Sequence, residues 1–126
     1  MKELKGFEPL IEVCSIVKVT PRWAIAGALL SSFEGYLKKW LVRHAGETFE
    51  TLKKAEFHHL TDKLRAQLRK DQVSADQTKL SGLASIRDYR NLVLHEMHEP
   101  NEIELETIKK QTTELMSYIE SLKSLS

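Results

Sequence analysis

Apolar residues recur at three- and four-residue steps along most of the chain, and no stretch alternates as a half-buried strand would. The clearest stripe is Ala26, Leu29, Leu30, Phe33, Leu37, Trp40 and Leu41. Thr20 before it is a good N-cap, Pro21 suits a first helical position, and Gly46 can close the far end in a left-handed turn. Upstream, Leu10, Ile11, Cys14 and Val17 share one face of a shorter helix expected over about Glu8–Lys18, with Pro9 in its first turn. Downstream, Phe57, Leu60, Leu64 and Leu68 mark a helix over about Phe49–Lys70. A fourth is expected from Ser74, where Ser74-Ala75-Asp76-Gln77 reads as a capping box, running into the nineties and ending before Pro100. Asn101 caps the last, with Glu102 and Glu104 in its first turn and Ile108, Leu115, Ile119 and Leu122 facing inward. The expected fold class is all-α, an antiparallel bundle of four to five helices.

Composition agrees with that pattern. At 126 residues the chain fits one domain, 1–126. Its 41% apolar and 29% charged residues, with only five Gly and three Pro, are those of a globular protein. Cys14 is the only cysteine, which excludes an intrachain disulfide and a cysteine-based zinc site and suits a reducing cytosol. Met1-Lys2-Glu3-Leu4-Lys5 lacks the apolar core of a signal peptide, and the run Ala24 to Leu30 is too short to span a bilayer. The expectation is a cytoplasmic protein without a membrane partner. The net charge of +1 hides an asymmetry: residues 36–90 hold 12 Lys/Arg against 7 Asp/Glu, and residues 91–126 hold 3 against 7. The first field suits nucleic acid, but solvated helix faces explain it as well.

One position changes the picture. With Leu80 as zero and about 100° per residue, Tyr89, Val93, Ile86, Leu83 and Leu94 span an apolar arc from about 180° to 320°. Arg90 projects at about 280°, inside that arc, while Asn91 and His95 lie just past its edge near 20° and 60°. A guanidinium among apolar neighbours is costly unless an anion meets it. Three explanations stand: a buried ion pair, for which Glu34 on the margin of the long stripe is the candidate; a subunit interface; or a site for phosphate.

Arg90-Asn91-Leu92-Val93-Leu94-His95 resembles the motif of the HEPN superfamily, in which Arg is followed by a polar residue, a short gap and His. All three motif positions match, and the motif falls late in a helix of an all-α chain, as in the family. The flanking Ile86-Arg87-Asp88-Tyr89 and the acidic helix after His95 have the family's look, and the order of helices is loosely similar throughout. The resemblance implies a metal-independent endoribonuclease, of toxin or defence type, acting on RNA as a homodimer, with an antitoxin or other defence-system protein as a further partner. Some members are silenced by a partner that modifies a Tyr two residues after the motif His. Met97 stands there in this chain, so that form of control is not expected.

The chemistry fits these residue types. RNA cleavage without a metal requires the 2′-hydroxyl to lose a proton as it attacks phosphorus, leaving a 2′,3′-cyclic phosphate and a 5′-hydroxyl. Histidine, titrating near neutrality, makes His95 suited to moving that proton. Arg90 offers a planar fork of donors to phosphate oxygens, and Asn91 can orient either partner or the RNA. One geometric difficulty arises: five residues on a regular helix turn by about 140°, so Arg90 and His95 do not share a face, whereas Asn91 and His95 do. Either the helix frays near His95 or two protomers build the cleft together, and the two-fold pairing is favoured because it also accommodates an arginine on an apolar face.

The remaining candidates are weaker. Lys53, Lys54, Lys63, Arg65, Arg69 and Arg87 can line an RNA path or simply face solvent. His58 and His59 are adjacent, point apart on a regular helix, and read as surface or groove residues. His95, His98 and Glu99 form a triplet with metal-ligand chemistry but no supporting cluster, so no metal and no other cofactor is expected. Trp23 and Trp40 read as core or interface anchors. The alternative function is a non-catalytic module of the same fold that binds RNA, a nucleotide or a protein.

Overall fold

Thr20 opens the described part of the chain, residues 20–124 of the computed structural model. The expected helix over Glu8–Lys18 lies outside the described residues. Thr20 Oγ1 accepts from the Trp23 backbone N–H at 3.2 Å and starts α1, Pro21–Ala45, with proline in its first turn. Gly46 ends the helix at φ 69°, its N–H donating to the Leu41 carbonyl. The stripe expected for this helix is its buried face, with Ile25 added and Leu29 half-buried.

The predicted helix over Phe49–Lys70 is two helices. Thr48 Oγ1 caps a single turn, α2 (Phe49–Leu52), and after a corner at residues 53–56 the chain enters α3 (Phe57–Lys70). The reason is phase. Leu52 and Phe57 are both buried, yet on one uninterrupted helix a five-residue step would set them about 140° apart. Breaking the helix lets Leu52 reach the core and lets the Phe57 ring meet Phe33, centroids 6.2 Å apart. α3 closes with Gln72 in the left-handed region (φ 56°), Val73 N–H donating to Leu68 O and Gln72 N–H to Arg69 O.

The cap expected at Ser74 is displaced to Asp76, whose Oδ1 accepts from Thr78 N–H at 2.9 Å. Asp76 is fixed there from outside, because its own N–H donates to the Tyr118 hydroxyl. One turn, α4 (Gln77–Leu80), leads into α5 (Gly82–Arg90), and α5 passes directly into a π-helical turn, Asn91–His95. Asn101 caps α6 (Glu102–Ser124) reciprocally: Asn101 Oδ1 accepts from Glu104 N–H, and Glu104 Oε1 accepts from Asn101 N–H.

The fold is an all-α bundle around one apolar core, with no strand among the described residues. α1 is its axis, packed against α6, α3 and α5. α5 runs antiparallel to α6, since Asp76 meets Tyr118 and Ser85 meets Gln111. α1 and α6 run the same way, Arg22 meeting Glu102 and Arg43 meeting Glu120. That arrangement sets the α5–π junction against the middle of α1. No helix among the described residues is long and apolar enough to cross a membrane.

Candidate active site

The π turn answers the geometric difficulty that the sequence poses. Its bonding runs from residue i to i+5, as in Glu96 N–H to Asn91 O at 3.1 Å, and His98 N–H reaches Leu92 O at 3.0 Å. One extra residue in the turn swings His95 back over Arg90, and Arg90 Nη1 stands 3.4 Å from His95 Nε2. Neither fraying nor a second protomer is required for the two groups to meet. A guanidinium only donates, so this contact favours the tautomer with the ring proton on Nδ1 and the lone pair on Nε2, facing the cleft.

Contacts distant in sequence hold the turn in place. The Trp23 indole N–H donates to the Val93 carbonyl at 2.8 Å. Gly27 on α1 faces the turn, where a Cβ would come to ordinary contact distance, 3.4 Å, of Leu94 Cδ2. Val93 is fully buried, so the turn is anchored by its apolar side while His95 and Asn91 remain exposed. Met97, at φ 57°, then reverses the chain.

Arg90 is four-fifths buried and also faces Glu34, Nη2 to Oε1 3.0 Å. The ion-pair explanation for an arginine on this face therefore holds, and the phosphate explanation is not displaced by it. Glu34 Oε1 lies off the line of the N–H and accepts no hydrogen bond, and Arg90 Nε is buried without a partner among the described residues. The guanidinium is thus neutralised but not saturated, a state that costs about 1–3 kcal/mol for each buried group left unpaired.

These groups line an open cleft of about 490 Å³. α1 contributes Glu34 and Lys38, the corner before α3 contributes Lys53 and Lys54, and the start of α3 contributes Glu56 and His58. α5 supplies Arg87 and Arg90, and the π turn Asn91 and His95. Five permanent cations (Lys38, Lys53, Lys54, Arg87, Arg90) face two carboxylates (Glu34, Glu56). A larger hollow of about 720 Å³ opens between α5 and α6, where Lys79 sits over the Tyr118 ring, but no imidazole lines it.

The predicted RNA path divides. Lys53, Lys54 and Arg87 join the motif in the cleft. Lys63, Arg65 and Arg69 do not: Lys63 Nζ is held by Glu47 at 2.9 Å, Arg65 donates to Gln77 and to the Leu80 carbonyl, and Arg65 and Arg69 line a separate small hollow. The break at residues 53–56 is the cause, because it turns α3 away from the corner that carries the two lysines. His58, read as a surface or groove residue, lines the cleft, and so does Lys38, which the sequence pattern did not mark. Lys38 lies four residues beyond Glu34, a helical spacing that signals a shared face. His58 and His59 do not diverge as expected, their ring centroids being 4.0 Å apart. His98 is engaged elsewhere, with Glu104 Oε1 3.1 Å from its Nε2. Trp40 is a core residue, as expected, and Trp23 proves to be a hydrogen-bond donor as well as an anchor.

No family model, curated protein or solved structure matches the chain.

Proposed function

We propose that the protein is a metal-independent endoribonuclease that cleaves RNA by 2′-hydroxyl attack, with a toxin or defence role. The observation that carries this reading is the meeting of Arg90 and His95, 3.4 Å apart, inside a cleft where cations outnumber carboxylates. In this reading the scissile phosphate sits against the Arg90 guanidinium, whose donors stabilise charge growing on the equatorial oxygens. His95 Nε2 takes the 2′-hydroxyl proton or delivers one to the leaving 5′-oxygen. Asn91 orients the nucleotide, and Lys53, Lys54, Lys38 and Arg87 attract the flanking phosphates. The homodimer and the antitoxin or other defence-system partner belong to the proposal through the HEPN resemblance. The π turn removes the need for a second copy to assemble the motif, so each protomer of a dimer would carry its own pair.

The assay is purified protein with RNA in EDTA, beside His95→Ala. Wild type is expected to release 2′,3′-cyclic phosphate ends while the variant does not, and DNA is expected to survive. Equal cleavage by both proteins would remove His95 from the chemistry. One observation favours the alternative, a non-catalytic module that binds RNA, a nucleotide or a protein partner: Glu34 already neutralises Arg90 at 3.0 Å. That reading predicts RNA binding without cleavage in the same assay.

A further inference from the structure

The first turn of α3 carries a group of side chains that the ribonuclease reading does not use. Glu56, His58 and His59 are all exposed, and one ligand atom from each lies within 4.8 Å of the others. Glu56 occupies the N-cap position, where a side chain ordinarily bonds the first backbone N–H groups, but it makes no such bond. Its carboxylate turns instead to His58, Oε2 to Nδ1 3.3 Å. The edge of a tetrahedron whose metal–ligand bonds are about 2.0–2.1 Å is roughly 3.4 Å, so one edge of a coordination shell already has its length. The His59 ring is held beside that of His58, centroids 4.0 Å apart and tilted by 49°. Rotation of exposed side chains closes the remaining distance at little cost.

We propose that Glu56, His58 and His59 bind a zinc-class divalent transition-metal ion at the rim of the cleft. Two imidazoles and a carboxylate suit Zn²⁺, Ni²⁺ or Cu²⁺ and are poor ligands for Mg²⁺ or Ca²⁺, which take oxygen. The Glu56 charge offsets the repulsion that Lys53 and Lys54 exert on an incoming cation. Three protein ligands leave a coordination position open. Glu56 and His58 also line the cleft, so the ion sits at its mouth and takes a phosphate oxygen of bound RNA there. This consequence rests on the ribonuclease reading, whereas the metal site does not. The ion adds affinity for RNA and takes no part in cleavage.

The test is calorimetric titration of the whole chain with ZnCl₂ at neutral pH in a non-chelating buffer. One ion per chain is expected, with His59→Ala and Glu56→Gln each weakening binding by about tenfold or more and His44→Ala leaving it unchanged. Circular dichroism melts check that the variants fold. Failure to saturate at one ion, or equal binding by His59→Ala and wild type, overturns the site. In the His95→Ala background, Zn²⁺ is expected to tighten RNA binding, and the added His59→Ala change to abolish that gain; no gain overturns the link to RNA. His59 does not line the cleft, so cleavage in EDTA is expected to be the same in His59→Ala and wild type. If Zn²⁺ binds as expected but wild type cuts no RNA in EDTA, the ribonuclease reading fails and the metal site stands.

Discussion

At the scale of single residues, Arg90 carries two duties that a substitution can separate. Its charge balances Glu34, and its planar fork is what the proposed reaction uses. Arg90→Lys keeps the charge and can keep the ion pair, so the thermal midpoint should barely move. It loses the fork, and cleavage should fall by about two to three powers of ten, the cost of one transition-state donor. Parallel melting and cleavage assays check this, and a variant that cuts RNA at the wild-type rate would reduce Arg90 to a structural ion-pair partner. Arg90 is legible from the chain alone, because an arginine in an apolar arc is a local anomaly, whereas Asn91 and His95 stand out only through the resemblance to the HEPN motif. The exact partners of the Arg90 guanidinium were only half legible. Glu34 could be named from its place on the α1 stripe, but the proximity of His95 could not, since five residues on a regular helix point apart.

At the scale of elements, the π turn is held by a donor from another helix. Trp23 and Val93 are 70 residues apart in sequence, and no local pattern announces their bond. This is why the helix was expected to continue or fray, while α1 and α6, whose caps Thr20, Gly46 and Asn101 act within a few residues, could be read directly. The break at residues 53–56 was hidden for a related reason: it becomes necessary only once Leu52 is known to face the core alongside Phe57. Trp23→Phe keeps most of the packing and removes the indole N–H. The Val93 carbonyl then loses its donor, at about 1–3 kcal/mol, and the turn can relax toward α-helical bonding that carries His95 away from Arg90. Denaturant unfolding measures the first effect, and faster hydrogen exchange at the Glu96 amide reports the second. If both match wild type, Trp23 does not hold the turn.

The start of α6 has its own titration. The Asn101 backbone N–H, and then His98, hold the Glu104 carboxyl below its ordinary value of 4.5. A carboxyl whose pKa is depressed by folding contributes stability that is complete above its unfolded value and is lost as the pH falls through its lower folded value. Glu104→Gln preserves an acceptor for Asn101 N–H but removes the charge. The variant should therefore be less stable than wild type at pH 7, and the gap should close on acidification below about 4.5. Urea unfolding across that range gives the comparison, and a gap that does not narrow between pH 5 and pH 3 would mean that the charge is not its source.

At the scale of the whole molecule, a net charge of +1 gives no general attraction for a polyanion, so affinity has to come from where the charges are gathered. The fold gathers them unevenly. It brings Lys38, Lys53, Lys54, Arg87 and Arg90 from three separate parts of the chain to one cleft, and it occupies Lys63 and Arg65 with intramolecular partners. Salt dependence distinguishes a gathered field from a diffuse one, because each phosphate contact on a single strand adds about 0.7 to the slope of log affinity against log salt. In the non-cleaving His95→Ala background, Lys53→Gln with Lys54→Gln should flatten that slope by about 1.4, whereas Arg69→Gln, outside the cleft, should leave it unchanged. Flattening by Arg69→Gln, with none from the lysine pair, would mean that RNA follows the basic outer face of α3 and not the cleft that holds Arg90 and His95.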